Sequence, residues 1–227
     1  MSYFPYMTGS ADPGNYELAF AVARKKLAGR LPADIASAAE VFFDRQNSVF
    51  IVPSFGTELI VTYPDGNVCF RADGTPPLVG WRLITINYLA RASGNSLQEH
   101  PISYRDLEDG NLFYPAFYRE AIQKLIQWLP GKSLDTVKKV VLDLGAKNRE
   151  GADLAFVFAA FPRFPITLKI WLPDDELPAS ANITFDSSAN HYLHTEDIAV
   201  LGWYLTSFII KHHELLVSGN TAPEILP

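Results

Sequence analysis

Apolar positions along this chain change their period several times, and each change marks an element. In NYELAFAVARKKLAG the residues Leu18, Val22 and Leu27, with Ala19 and Ala23, recur at helical spacing. Asp12-Pro13 opens that helix and Gly29 closes it behind cations that suit a helix C-terminus. Pro32 starts a short alanine-rich helix, PADIASAA. From Glu40 the period becomes two: EVFFD, SVFIVP, TELIVTY and NVCFR predict four short strands. Asn47-Ser48, Ser54-Phe55-Gly56 and Pro64-Asp65-Gly66 supply the turns between them. Leu78 to Ala92 returns to helical spacing through Trp81, Ile84, Tyr88 and Leu89, and Ser93-Gly94-Asn95 stops it. ISYRDL is too short to assign.

Beyond Pro115, the face Tyr118, Ala121, Ile122, Leu125, Ile126 and Leu129 predicts an amphipathic helix ending at Pro130-Gly131. Ser133 is placed to cap LDTVKKVVLDL, which finishes at Gly145. Then alternation resumes in three strands carrying Leu154, Phe156 and Phe158, then Ile166, Leu168 and Ile170, then Ile183 and Phe185. One buried and one wetter sheet face is the antiparallel signature. The last helix sits behind a Thr195 cap with Glu196 and Asp197 in its first turn. It is apolar nearly all round from Ile198 to Leu205, which predicts a central position. The two meanders can form one sheet or two. The expected fold is α+β: antiparallel β-meanders packed against helices, with a central C-terminal helix. No Gly/Ser/Pro-rich linker divides the chain, so residues 1–227 read as a single domain, with 1–11 as a flexible arm and 218–227 as a tail.

Composition narrows the partners. With 227 residues, 48% hydrophobic and 19% charged, the chain is long enough to bury a full core. A formal net charge of −6 disfavours nucleic acid, which needs concentrated positive surface. Cys69 is the single cysteine, so no intrachain disulfide and no self-contained cysteine-ligated cluster is expected. Inside a strand, it reads as a small packed hydrophobe rather than a reactive thiol. MSYFPYMTGS lacks the pattern of a signal peptide. Ile198 to Ile210 falls short of the roughly 20 apolar residues that span a bilayer. A cytoplasmic protein without membrane contact is the expectation.

The segment from Phe161 onward carries a specific likeness. Phe161, Pro162, Arg163, Pro165, Trp171, Ala181, Asn182, Ile183, Phe185, Asp186, Ser188, Ala189, His191, Tyr192, Leu193, Thr195, Glu196, Asp197 and Gly202 match the pattern FPRxP, LW, PxxANIxFDxSAxHYLxTEDLAVLG. With NYE, NYLARASG, ISYRDL and YPAF upstream, the chain resembles an uncharacterised domain-of-unknown-function family of anaerobic bacteria and archaea, number thirty-seven eighty-six. Some relatives carry an additional cysteine-rich iron–sulfur segment, which implies redox or one-carbon metabolism. This chain lacks those cysteines, so no cofactor is expected in it, and any cluster would belong to a partner.

The connector from Asp186 to Asp197 concentrates reactive residue types. His191 and His194 with a nearby carboxylate are candidate metal ligands, but their spacing is not the i, i+4 pair of a zincin helix, and no metal is favoured. A nucleophilic reading would use Ser187 or Ser188 with His191 and Asp186; triad members normally come from separated elements, and no G-x-S-x-G elbow is present. A structural reading explains more: Asp186 forms an Asx-turn, Ser188 bonds the backbone, and Thr195 caps the helix. Arg163, at a stiff Phe-Pro corner, either receives an anion or pairs with Asp186 or Glu196. The candidate ligand pocket is Arg163, Asp186, Ser188, His191 and Tyr192, beside Trp171. His212-His213 is expected to interact with the helix C-terminal dipole, and Asp174, Asp175 and Glu176 form a solvated tip. Two functional readings follow. The first is a noncatalytic binding or accessory protein of anaerobic metabolism with an iron–sulfur or corrinoid-linked protein partner, which the resemblance implies. The second is an enzyme acting on a small anionic substrate through Arg163, Asp186 and His191.

Overall fold

The structure is a computed structural model describing residues 3–173 and 176–219. Its first sheet is an antiparallel meander of β1 (Phe42–Asp44), β2 (Val49–Ser54), β3 (Thr57–Thr62) and β4 (Val68–Phe70). Phe50 stands opposite Val61 and Val52 opposite Leu59, so the two-residue period puts all four on the buried face. The tight β2–β3 turn places Phe55 and Gly56 at φ 46 and 75, the doubly left-handed geometry that matches strand twist in a two-residue hairpin.

The second sheet holds β5 (Pro101–Ser103), β6 (Lys147–Arg149), β7 (Leu154–Phe161), β8 (Phe164–Trp171) and β9 (Ser180–Asp186), in the order β5-β9-β8-β7-β6. Its centre is the three-stranded meander that alternation predicts. The edge strands β5 and β6 are three residues each and carry no alternating apolar run. The meanders therefore form two sheets. They are stitched where the Phe55 N–H donates to the Ala159 carbonyl at 2.9 Å and the Ser54 hydroxyl donates to Ala160 O at 2.6 Å. The Trp81 indole in turn donates to Ser54 Oγ, tying a helix to the seam.

Helices α1 (Glu17–Ala28), α2 (Pro32–Ala39) and α3 (Val79–Arg91) surround the first sheet. On α1 the buried face is Phe20, Ala23 and Leu27, while Leu18 is 78% exposed and Val22 49%. The expected face is thus rotated: the aromatic ring of Phe20, not the two smaller aliphatics, faces the core. The helix α4 (Gly110–Phe117) begins five residues before Pro115, runs into a π-helical turn (Tyr118–Gln123) and continues as α5 (Lys124–Trp128). Ser133 Oγ accepts the Thr136 N–H at the start of α6 (Leu134–Asp143), as expected.

The C-terminal helix α7 (Thr195–Val217) buries Ile198, Leu201, Gly202, Leu205, Phe208 and Ile209. Its cap position is His194, not Thr195, whose hydroxyl instead donates to Glu108 O at 2.6 Å. The predicted central placement holds for one side of α7 only; Ala199 and Val200 are half-buried and Trp203 is 43% exposed. Residues 3–11 are not a loose arm. Met7 is buried, Tyr3 stacks on Phe70 at 3.8 Å, and Thr8 bridges Pro77. Aromatic residues in that segment find ring partners, which a polar arm would lack. Asp174, Asp175 and the tail from residue 220 lie outside the described residues.

Candidate functional site

The connector after β9 is fastened from within. Asp186 Oδ1 accepts from the Gln98 N–H at 3.0 Å, the Ser188 N–H at 2.9 Å and the Ser188 hydroxyl at 2.6 Å. Burial alone would raise the Asp186 pKa, but these donors hold it below the usual carboxylate range. Ser188 is buried, so the Asx-turn expected at Asp186 is also an anchor. Asn190 accepts from Arg91 Nε and from the Glu108 N–H, and donates to Thr195 Oγ1. Tyr192 is fully buried and its hydroxyl donates to Asn95 O.

The other sequence candidates are dispersed. Arg163 pairs with Glu40 at 2.7 Å, not with Asp186 or Glu196, and its N–H donates to the Tyr88 hydroxyl at 3.0 Å. The short β7–β8 turn projects it over the C-terminus of α2, where Glu40 stands. Trp171 lies at the opposite end of β8 from Arg163, about 23 Å along the strand at some 3.3 Å per residue, and lines a surface hollow with Asp153 and Leu172. His191 is exposed on a 3-10 turn. No hydrogen bond or ion pair among the described residues joins Arg163, Asp186 and His191. His194 Nε2 lies 3.3 Å from Arg91 Nη1, and the described residues contain no group of three His, Cys, Asp or Glu placed to hold a metal.

Several titratable groups lie elsewhere, wholly or partly in the interior. His212 is 2% exposed, with Nε2 at 3.1 Å from Asp143 Oδ2 and its ring against Phe4. It therefore pins α7 to α6 and the N-terminal segment, in place of the expected role at the helix dipole, because α7 continues past it to Val217. His213 sits edge-on to Trp128, and burial pushes its pKa down. Cys69 is half-buried in β4, where burial and Asp73 push its thiol pKa up, away from thiolate reactivity. Burial also raises the Asp197 carboxyl, which takes both Asn87 Nδ2 contacts at 3.1–3.2 Å.

An aromatic-walled concavity lies where α4 and the π-helical turn meet α7. It is a cleft of ≈ 240 Å³. Tyr104 and Phe117, both buried and stacked at 4.2 Å, close its inner side. Phe113, 38% exposed, and Trp203 stand at its mouth. Gly202 lets this floor form, since a Cβ there would meet Phe117 Cε2 at 2.5 Å. The Tyr104 hydroxyl donates to Thr195 O, and its pKa is pushed up to about 12 by burial and by Glu196. Glu196 and Glu120 are the charged residues of the lining. Sequence reasoning assigned α7's apolar surplus to the core. The missed signal was its breadth, because a helix packed on one side buries only a stripe.

The molecule is thus an α+β protein of two antiparallel sheets with an apolar cleft beside its C-terminal helix. A family model described as Domain of unknown function (DUF3786) matches residues 32–207, and the chain belongs to that family. No curated protein and no solved structure matches it. No helix among the described residues is long and apolar enough to cross a membrane.

Proposed function

We propose that the protein is a noncatalytic binding or accessory protein whose working surface is the cleft between α4 and α7. The observation that carries this reading is an open concavity walled by aromatic rings, in a molecule whose connector spends Asp186, Ser188, Asn190 and Tyr192 on fastening itself. Ligand sites are typically concave and mostly apolar, with few polar groups fixing orientation. The cleft has that character; the Asp186–Thr195 connector does not.

The setting of anaerobic metabolism, with an iron–sulfur or corrinoid-linked protein as the partner served, is supported by the motif likeness of the sequence. Its test is co-purification from native extract, read by the visible spectrum of an iron–sulfur or corrinoid chromophore in the retained fraction.

The cleft itself is tested with a neutral hydrophobic dye such as Nile red. Wild-type protein is expected to bind it at a single site. Ala199→Trp, which fills the cleft from α7, is expected to weaken binding at least tenfold with an unchanged melting temperature. Equal binding by the two proteins would overturn the reading.

A further inference from the structure

We infer that the cleft takes a hydrophobic organic cation, a quaternary ammonium, with its charged head toward Glu196 and its apolar body against the rings. This rests on the cleft being the binding surface, and adds the chemical class of its occupant.

Three features of the lining converge on that class. Tyr104, Phe113, Phe117 and Trp203 offer π faces and edges, and a cation within about 6 Å of a ring centroid is attracted by the ring quadrupole. The charged lining residues are both acidic. The two carboxylates are also unequal. Glu120 is neutralised by Arg119 at 2.9 Å and Lys124 at 2.5 Å. Glu196 is exposed and its side chain has no ion pair or hydrogen bond among the described residues. Glu196, in the first turn of α7, is therefore the lining carboxylate without a cationic side-chain partner.

Competing occupants fit less well. A bare metal ion would find too few oxygen ligands for a hard cation and a wall of hydrocarbon around them. A neutral apolar ligand would strip water from Glu196 without giving it a partner, and desolvating an unpaired charge is costly. A quaternary ammonium avoids both penalties. Its weakly hydrated head meets the carboxylate, and its body displaces water from the rings.

The experiment is dye displacement on the full-length protein by two isosteres, benzyltrimethylammonium and neopentylbenzene, which differ only in the charge of the quaternary centre. The cation is expected to bind at least tenfold more tightly. Glu196→Gln should erase that preference, weakening the cation and tightening neopentylbenzene, which no longer meets an unpaired charge. Glu120→Gln should change the preference by less than threefold, since its charge is already matched. Equal or weaker binding of the cation, or a preference that survives Glu196→Gln, would overturn the inference. Should neopentylbenzene bind as well as the cation and lose affinity in Ala199→Trp, the assignment of cation chemistry fails while the cleft stands as the binding surface. If neither the dye nor either isostere binds, both fail.

Discussion

The Asp186–Thr195 connector and the α4–α7 cleft carry opposite kinds of information. The connector is dense in residues that do chemistry elsewhere, yet its carboxylate, amide and hydroxyls are directed at backbone groups of the 95–108 segment and at one another. The cleft is built from residues that ordinarily make core, yet Phe113 and Trp203 stand partly in water. Satisfied polar groups fasten; unsatisfied apolar surface is available to bind. Side-chain type alone misassigns both regions, and the partner each group has decides between them.

Tyr192→Ala should separate the two regions most sharply. The ring is fully buried and lies 6.0 Å from that of Tyr88, and its removal leaves a cavity and an unpaired Asn95 carbonyl. A loss of about 4 kcal/mol is expected from aromatic truncation in a core, read as a shift in the urea midpoint at constant slope. Dye affinity of the folded protein should not change. A large loss of affinity would show that connector and cleft act as one site.

Asp186→Ala comes next, at about 2 kcal/mol, because buried Ser188 loses the acceptor for both its N–H and its hydroxyl. The same carboxylate gives a pH test. Its folded pKa is depressed, so its contribution is present above the unfolded value, roughly 3.9, and is lost as pH falls through the folded value. Urea midpoints of wild type and Asp186→Asn should therefore differ at neutral pH and converge on acidification below about pH 4. A gap that persists in acid would mean that the carboxylate's charge is not what holds the connector.

Trp203→Ala tests the cleft from its own side. The ring is partly exposed and stacks on Tyr204 at 5.5 Å, so stability should fall by no more than about 1 kcal/mol. Dye affinity should drop at least tenfold. The reverse pattern, a destabilised protein that binds normally, would return Trp203 to the core.

The fold was legible wherever an element was long enough to show its period. Alternation in 154–170 located β7 and β8, and the turn residues Asn47-Ser48 and Phe55-Gly56 located the hairpins of the first sheet. β5 and β6, unlike the equally short β1 and β4, carry no alternating apolar run in their sequences (Pro101–Ser103 and Lys147–Arg149). Their pairing is decided by β9 and β7 alongside them. The start of the helix at Gly110 was hidden because Pro115 resembles a first-turn signal; the chain tolerates it one turn further in. The partner of Arg163 depends on Glu40, more than a hundred residues away, and no local pattern encodes such a distance. The cleft was hidden for a different reason. Hydrophobic pattern reports which surfaces avoid water, and a binding surface and a core surface avoid it alike.

His191→Ala should have the smallest effect, and its smallness is informative. His191 is the residue that the metal, nucleophile and anion readings of the connector have in common. The structure leaves it exposed on a 3-10 turn, with no side-chain hydrogen bond or ion pair among the described residues. Exposed side chains without partners change stability by less than about 0.5 kcal/mol when truncated. Melting temperature, dye affinity and the cation preference should all match wild type, and added zinc should not raise the melting temperature of either protein. A zinc-dependent rise seen in wild type and lost in His191→Ala would mean that the connector closes around an ion and that fastening is not its only role.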